Sequence, residues 1–197
     1  EILRCLVGSE MCIRDSSMGV GMVHQHFMLV PSFTVAQNIV MSREPRRLGV
    51  LFDNKAAEAA AQKLVEEYGL VVDPAAVVRE IGVGLQQRVE ILKTLYRGAD
   101  ILILDEPTAV LTPQETDELF AVIRRVVREL GMTVIIITHK LYEVMAISDR
   151  VGVMRKGRLI GVENTCDVDE KKLASMMVGR PVLYDLSLIH ISEPTRH

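Results

Sequence analysis

The stretch Ala99–Thr112, A-D-I-L-I-L-D-E-P-T-A-V-L-T, decides the fold of this chain. Its apolar run over 101–104 is short and unbroken, as in a strand that is covered on both faces of a parallel sheet. The run ends abruptly at Asp105 and Glu106. Because open parallel sheets bind ligands at the carboxyl ends of their strands, we expect this acidic pair at a ligand site.

Two adjacent carboxylates at the end of a strand suit phosphate chemistry. Consecutive side chains of a strand point to opposite sides, so the two acids have different surroundings. One can hold Mg²⁺, usually through water, while the other orients or deprotonates an attacking water. The alternative is a pair of solvated acids before a proline turn, which the motif D-E-P by itself does not exclude.

The composition is typical of a globular protein. The 197 residues suffice for one domain with a hydrophobic core, and 49% of them are hydrophobic. Aromatic residues make up only 4%, which disfavours base-stacking surfaces. The net charge of −3 argues against a nucleic-acid partner. No apolar run approaches the roughly 18 residues of a membrane span, so we expect a soluble protein.

The two ends of the chain encode the same oligonucleotide in opposite directions. Residues 9–15, S-E-M-C-I-R-D, can be written in codons whose reverse complement translates as S-L-I-H-I-S, the sequence of residues 187–192. We therefore expect 1–16 and 186–197 to be non-native, adapter-like tails. The native part, 17–185, then retains Cys166 alone, in keeping with a reducing compartment.

Residues 32–98 are expected to form a helical subdomain inserted between strands. It follows a short buried strand over 19–24 and contains helices with recognisable caps. Its predicted elements are a helix over 35–41 capped by Thr34, a solvated connector over 42–52, a helix from Asp53 or Asn54 to Gly69, and a turn and helix from Asp73.

The string I-G-V-G-L-Q-Q-R over 81–88 opens a further helix that runs to about Arg97. Glycines ahead of a helix leave its first backbone N–H groups uncovered and let an anion approach them closely. The alternative is a loop followed by an ordinary amphipathic core helix. The anion site is therefore suggested by Gly82 and Gly84 alone.

A second strand follows the acidic pair after one crossover helix. The motif T-P-Q-E over 112–115 is a capping box, and the helix that it starts is expected to end at Gly131. The apolar run over 133–137 predicts another buried strand, which ends just before His139. Because this spacing fits a right-handed crossover, we expect His139 at the same sheet edge as Glu106.

Gln25 follows the first strand and is a further candidate at this edge. Its side-chain amide suits a contact with a metal or with a nucleotide phosphate. Taken alone, Gln25 is more simply explained as an ordinary loop residue. His24 and His26 flank it, but no further ligand has the spacing of a zinc site.

With these residues in place, residues 17–185 resemble an ATP-binding subunit of an ABC transporter, a partial P-loop NTPase of the α/β class. Several strings, among them G-M-V-H-Q-H-F-M-L-V-P, resemble the bacterial importers for nucleosides and simple sugars. Subunits of that branch usually carry two ATP-binding halves, and this chain resembles the first. The motifs that carry the resemblance are Gln25 (Q-loop), 81–88 (signature), 101–106 (Walker B), 109–112 (D-loop) and His139 (switch histidine).

The resemblance implies ATP hydrolysis between two such domains in a head-to-tail sandwich. Asp105 would hold Mg²⁺ through water, and Glu106 would activate the attacking water. His139 would hydrogen-bond the γ-phosphate, and Gln25 would sense Mg²⁺ and the γ-phosphate and couple the site to a permease. The residues that would face ATP bound by the opposite domain are Gly82, Val83, Gly84, Leu85, Gln86 and Thr112.

The chain departs from the family pattern at two points. It contains no G-x-x-x-x-G-K-[ST] phosphate loop, so the isolated chain is expected not to bind ATP usefully. Gly82 stands where the signature normally has serine, and a hydrogen bond to a charged phosphate is worth about 1.5–3 kcal/mol. Val83, Leu85 and Thr112 also differ from the general pattern but resemble the importer branch.

The resemblance implies the energy-coupling subunit of an importer, peripheral to the cytoplasmic face of the inner membrane. Its partners would be permease subunits, a second ATP-binding domain and, indirectly, an external solute-binding protein. One alternative is a soluble ABC ATPase that acts in translation or repair. Another is a non-hydrolysing regulatory half, which rests on Gly82. The solute stays open because the permease and the binding protein select it.

Overall fold

The computed structural model describes residues 19–41, 43–47 and 51–179. The tails assigned to 1–16 and 186–197 lie outside these residues. The strands are β1 (Val20–Val23), β2 (Arg46–Arg47), β3 (Leu51–Phe52), β4 (Ile101–Asp105), β5 (Thr133–Ile137), β6 (Arg150–Arg155) and β7 (Arg158–Asn164). The α-helices are α1 (Val35–Val40), α2 (Asn54–Tyr68), α3 (Val83–Tyr96), α4 (Pro113–Leu130), α5 (Leu141–Ile147) and α6 (Glu170–Val178).

A parallel sheet of order β1-β4-β5 organises the described residues up to His139. Its register pairs Val23 with Leu104 and Asp105 with Ile137, so the carboxyl ends of the three strands lie at one edge. The middle of β4 is buried, with Leu104 fully inaccessible to solvent. This confirms the strand that the apolar run predicts, and α3 and α4 pack against β1 and β5 respectively.

The strand predicted over 133–137 is present with these bounds as β5. The prediction that this strand is buried is wrong. Along β5 exposed and partly buried residues alternate, and Ile135 and Ile137 are each 48% exposed. Two consecutive strand residues face opposite sides of a sheet. One face of β5 is therefore open to solvent in the described part of the chain, although its residues are apolar on both sides.

The helix termini follow the capping residues of the sequence. Thr34 caps α1 in a capping box with Gln37. Asp53, rather than Asn54, caps α2, and Gly69 ends that helix with φ +68°. A left-handed residue at this position is the common way to end a helix, and glycine adopts it without a steric penalty.

Two local predictions between 42 and 98 need correction, and a third is made more specific by the structure. The connector over 42–52 contains the short antiparallel pair β2–β3, which is too brief to show in residue periodicity. The turn and helix expected after Asp73 are present, and the helix is a short 3₁₀-helix, Val78–Glu80. Two glycines, Gly82 and Gly84, were expected ahead of the signature helix. Helix α3 begins at Val83, so Gly82 precedes it and Gly84 lies in its first turn.

The described residues from Lys140 to 179 form a second compact unit. Its antiparallel hairpin β6–β7 turns at Lys156 and Gly157, both with positive φ. Helix α6 packs against β6, and its Leu173 is buried with Val153 and Val168. No helix among the described residues combines the length and the apolar character needed to cross a bilayer.

A close approach between β1 and α3 depends on a glycine. A Cβ atom added at Gly21 would overlap the methyl group of Thr94 and lie 2.9 Å from the Cβ of Ala99. Thr94 is buried and donates its hydroxyl to the carbonyl of Glu90, so it has little freedom to move away. Glycine at position 21 therefore sets the distance between the first strand and the signature helix.

We expect Gly21→Ala to lower the free energy of unfolding by about 1–3 kcal/mol, because the added methyl overpacks this contact. Thermal unfolding followed by circular dichroism measures the change. Gly152→Ala in β6 is the matched control, since its nearest contact would be an ordinary 3.6 Å to Leu159. Equal stability of the two variants would contradict the packing argument.

Candidate functional site

Three of the predicted site residues meet at the carboxyl edge of the sheet. The Nδ1 atom of His139 lies 2.9 Å from Oε1 of Glu106. The side-chain amide of Gln25 donates to Oε2 of the same carboxylate at 3.5 Å. These residues follow the ends of β5, β4 and β1, so the parallel register delivers all three to one place.

Glu106 adopts an unusual backbone conformation. Its φ is +44°, in the left-handed region that a residue with a side chain rarely occupies. Its N–H group still donates to the carbonyl of Ile137 at 2.8 Å, which extends the pairing between β4 and β5 by one residue. Its carbonyl then accepts from the N–H of Ala109 in a turn. Strained residues of this kind cluster at functional sites, because the surrounding structure must hold them.

The donor set fits Mg²⁺ in the company of phosphate and does not form a self-contained metal site. Asp105 and Glu106 contribute carboxylate oxygens at the strand end, and Gln25 contributes an amide oxygen. No group of three His, Cys, Asp or Glu residues within the described ranges is arranged to hold a metal. Mg²⁺ typically takes one or two carboxylates and completes its shell with water and substrate phosphates.

The start of α3 presents backbone donors with room in front of them. Gly82 is the N-cap, and its carbonyl accepts from the N–H groups of Leu85 and Gln86, both at 3.0 Å. The first N–H groups of a helix have no acceptor within it, so a ligand here would meet those of Val83 and Gly84. A Cβ atom added at Gly82 would have nothing within 4 Å. The site therefore has space for a side chain at position 82.

Gly84 has a packing role that the sequence does not reveal. A Cβ atom at this position would lie 2.5 Å from Oε1 of Glu115. Glu115 is held in the capping box of α4, where the backbone N–H and the hydroxyl of Thr112 donate to its Oε2 at 2.9 Å each. These hydrogen bonds lower the pKa of Glu115 below its ordinary value. A fixed, solvent-exposed carboxylate thus lies beside the helix start, and glycine at 84 accommodates it.

Two glutamines of the signature segment hydrogen-bond to backbone carbonyls of neighbouring loops. The amide of Gln86 donates to the carbonyls of Ile81 and Val78 at 3.0 and 3.3 Å. The buried Gln87 donates to the carbonyl of Pro107, which links α3 to the turn after Glu106. The contacts of 82–86 are thus with the preceding loop and with α4, and the structure does not bring these residues to His139 or Gln25.

The sequence argument missed the buried polar residues that hold the segment after Gln25. Glu90 and Lys93 of α3 bind the backbone N–H and carbonyl of Met28, each at 2.6 Å. Burial lowers the pKa of Lys93. Asn38 of α1 binds both the backbone N–H and the carbonyl of Val30, at 2.8 and 3.1 Å. The available signal was a pair of opposite charges, three residues apart, within the mainly apolar second half of the helix, residues 89–96.

The family model described as "ABC transporter" matches residues 7–109. The match begins inside the segment assigned to the first tail, so the boundary at residue 17 stays a prediction. The chain is 52% identical over 171 residues to the nucleoside import ATP-binding protein NupA of Lactococcus lactis, covering 87% of this chain and 33% of NupA. It is 48% identical over 193 residues to the glucose import ATP-binding protein TsgD13 of Haloferax volcanii, with 84% and 35% covered. The chain thus spans about a third of the length of these relatives.

Solved structures share the same fold. CbiO1 of Clostridium perfringens, part of the ABC transporter complex cbiONQ, superimposes with a TM-score of 0.68 at 25% identity, covering 87% of this chain and 67% of that chain. The ATP-binding cassette MJ0796, in a dimeric state bound to ADP and Pi, gives 0.64 at 20% identity, with 79% and 66% covered. These cassettes confirm the predicted α/β fold class of ABC type. The chain belongs to the ABC transporter family, and it is similar to the ATP-binding proteins of nucleoside and sugar importers.

Proposed function

We propose that this chain is part of the ATP-hydrolysing, energy-coupling subunit of an ABC importer for nucleosides or simple sugars. The observation that carries the proposal is the convergence of Gln25 and His139 on the carboxylate of Glu106. The substrate class rests on relatives that import nucleosides, guanosine, glucose and ribose. The activity, partners and substrate of the whole protein are part of this proposal.

Glu106 is the group that orients the attacking water and takes its proton in the proposed reaction. The new bond joins the water oxygen to the γ-phosphorus as the bond to the leaving ADP breaks. The imidazole of His139, whose Nδ1 lies 2.9 Å from the Glu106 carboxylate, would donate a hydrogen bond to the γ-phosphate. Asp105 and Gln25 would hold Mg²⁺, which when bound neutralises developing phosphate charge. Catalysis is thereby mainly positioning and charge stabilisation.

The opposite ATP would be met by the residues at the start of α3. Backbone N–H groups and the helix dipole favour an anion at this place. The residues assigned to this contact are Gly82, Val83, Gly84, Leu85 and Gln86, together with Thr112 at the start of α4. A second ATP-binding domain, on the same chain or on another, is therefore required for a complete site.

We assign contact with a membrane permease to the segment after Gln25. This segment exposes large apolar side chains, with Met28 67% and Phe33 41% accessible to solvent. A permease contact here would couple transport directly to Gln25 and place the protein at the cytoplasmic face of the inner membrane. The external solute-binding protein would act indirectly, through the permease.

The sequence of the chain contains no phosphate loop with its lysine. We therefore propose that the 197 residues by themselves do not hydrolyse ATP. The experiments below use the full-length protein that contains this domain.

Glu106→Gln should lower the hydrolysis rate of the full-length protein by roughly 10²–10⁴-fold, because the amide cannot accept the proton. Nucleotide binding, measured with a fluorescent ATP analogue, should be retained. Glu129→Gln is the control, since this exposed acid pairs with Arg125 on the surface of α4. Hydrolysis by Glu106→Gln at the wild-type rate would refute the assigned role.

Gly82→Ser should raise the hydrolysis rate by about 10–100-fold, because the open position accepts a hydroxyl that reaches the phosphate of the opposite ATP. Gly82→Ala is the matched control, which adds the Cβ atom without the hydroxyl. Steady-state phosphate release measures both. Equal rates for the serine and alanine variants would make the missing hydroxyl irrelevant and remove the basis for a regulatory half.

The full-length protein should co-purify from membranes with a permease, and substitution of Met28 by aspartate should weaken this association. The charged side chain would disrupt the exposed apolar contact. Quantitative mass spectrometry of the purified material measures the permease. Recovery with ribosomes or DNA instead would support the non-transport alternative.

A further inference from the structure

The segment that carries Gln25 leaves the sheet after Val23, and side chains from two helices then bind its backbone. Met28 offers both its N–H and its carbonyl to α3, and Val30 offers both of its groups to Asn38 of α1. Helical side chains therefore bind both backbone groups of two residues in a segment that has no regular secondary structure.

The two residues of α3 that bind Met28 are buried charges. Glu90 is 6% and Lys93 is 7% exposed, and their charged atoms lie 3.5 Å apart. A buried charge is strongly unfavourable unless its hydrogen bonds are satisfied. Because both charges use the backbone of Met28, displacement of this residue would leave them incompletely satisfied. The position of Met28 relative to α3 is thus sharply defined.

The same helix has a second functional end. It starts at Gly82, where the opposite ATP is proposed to bind, and it reaches the buried pair within its second and third turns. Gln25 lies three residues before Met28, and its amide contacts Glu106. A continuous path of contacts therefore runs from the start of α3, through Glu90 and Lys93, to the catalytic edge of the sheet.

We propose that Glu90 and Lys93 are positioning residues that set Gln25 against Glu106 by fixing Met28 to α3. Neither touches the proposed reacting atoms, so each acts through the backbone of the segment after β1. The competing explanation is a buried ion pair that only stabilises the helix. This inference rests on the proposed function for its kinetic test but not for its exchange test.

The exchange test measures the amide hydrogen of Met28 in the full-length protein without nucleotide. In Glu90→Ala this amide should exchange roughly tenfold faster, because its acceptor is gone. Glu90→Gln keeps a side-chain oxygen at the same reach and should restore most of the protection. Ile91→Val, a buried neighbour on the same helix, controls for a general loss of packing and should leave the amide protected.

The kinetic test is a double-mutant cycle with Gln25. Glu90→Ala alone should lower the maximal ATP hydrolysis rate about tenfold, with Glu90→Gln closer to wild type. In a Gln25→Ala background the same substitution should have no further effect, because the residue through which it acts is already lost. Ile91→Val should leave the rate unchanged in both backgrounds.

The outcomes separate the two proposals. Additive effects of Glu90→Ala and Gln25→Ala, or unchanged exchange of the Met28 amide in Glu90→Ala, would overturn the positioning role. Absence of hydrolysis in the wild-type protein, with the exchange result as expected, would refute the proposed function. It would leave unchanged the conclusion that Glu90 binds the backbone of Met28. If Glu90→Ala does not fold, Lys93→Met in the double-mutant cycle with Gln25→Ala decides the question, because it removes the donor to the Met28 carbonyl. Non-additivity is expected, and additive effects would overturn the positioning role.

Discussion

The parallel pairing of β4 with β1 on one side and with β5 on the other is the interaction on which the site depends. The register pairs Leu104 with Val23 and Asp105 with Ile137, so all three strands end at the same level. Side chains that are more than 30 residues apart in sequence are thereby brought to a single carboxylate. A shift of one residue in either pairing would move a strand end and turn its side chains to the opposite face.

The backbone conformation of Glu106 is the second feature on which the site depends. Its left-handed conformation ends the strand and directs the carboxylate toward both neighbours, while its N–H group stays paired with Ile137. A side chain pays a steric penalty in this conformation, so the flanking contacts must hold it. Gln87 supplies one of them through the carbonyl of the following Pro107. Helix α3 therefore supports the turn that follows Glu106 through this hydrogen bond.

Helix α3 is the element that connects the separate parts of the proposed mechanism. Its start offers the backbone N–H groups of Val83 and Gly84, and its middle binds Met28. Its flank lies so close to β1 that Gly21 must lack a side chain. Because each contact is made by a different turn of one rigid helix, they cannot change independently. The carboxylate of Glu115 beside Gly84 adds a fixed negative charge at the end where an anion is expected.

The sequence by itself determined the elements, because caps, glycines and apolar runs act over a few residues. The buried middle of β4, the helix caps and the α/β class followed from such local signals, and parallel connectivity placed Glu106 and His139 at one edge. Only the tertiary structure decided which faces are covered and which polar groups are paired. The contact of Gly84 with Glu115 and the hydrogen bond from Met28 to Glu90 join residues that are distant in sequence. The exposure of Ile135 likewise depends on which elements pack against β5. Composition and periodicity do not predict such partners, because burial and hydrogen bonding depend on which residues the folded chain places in contact.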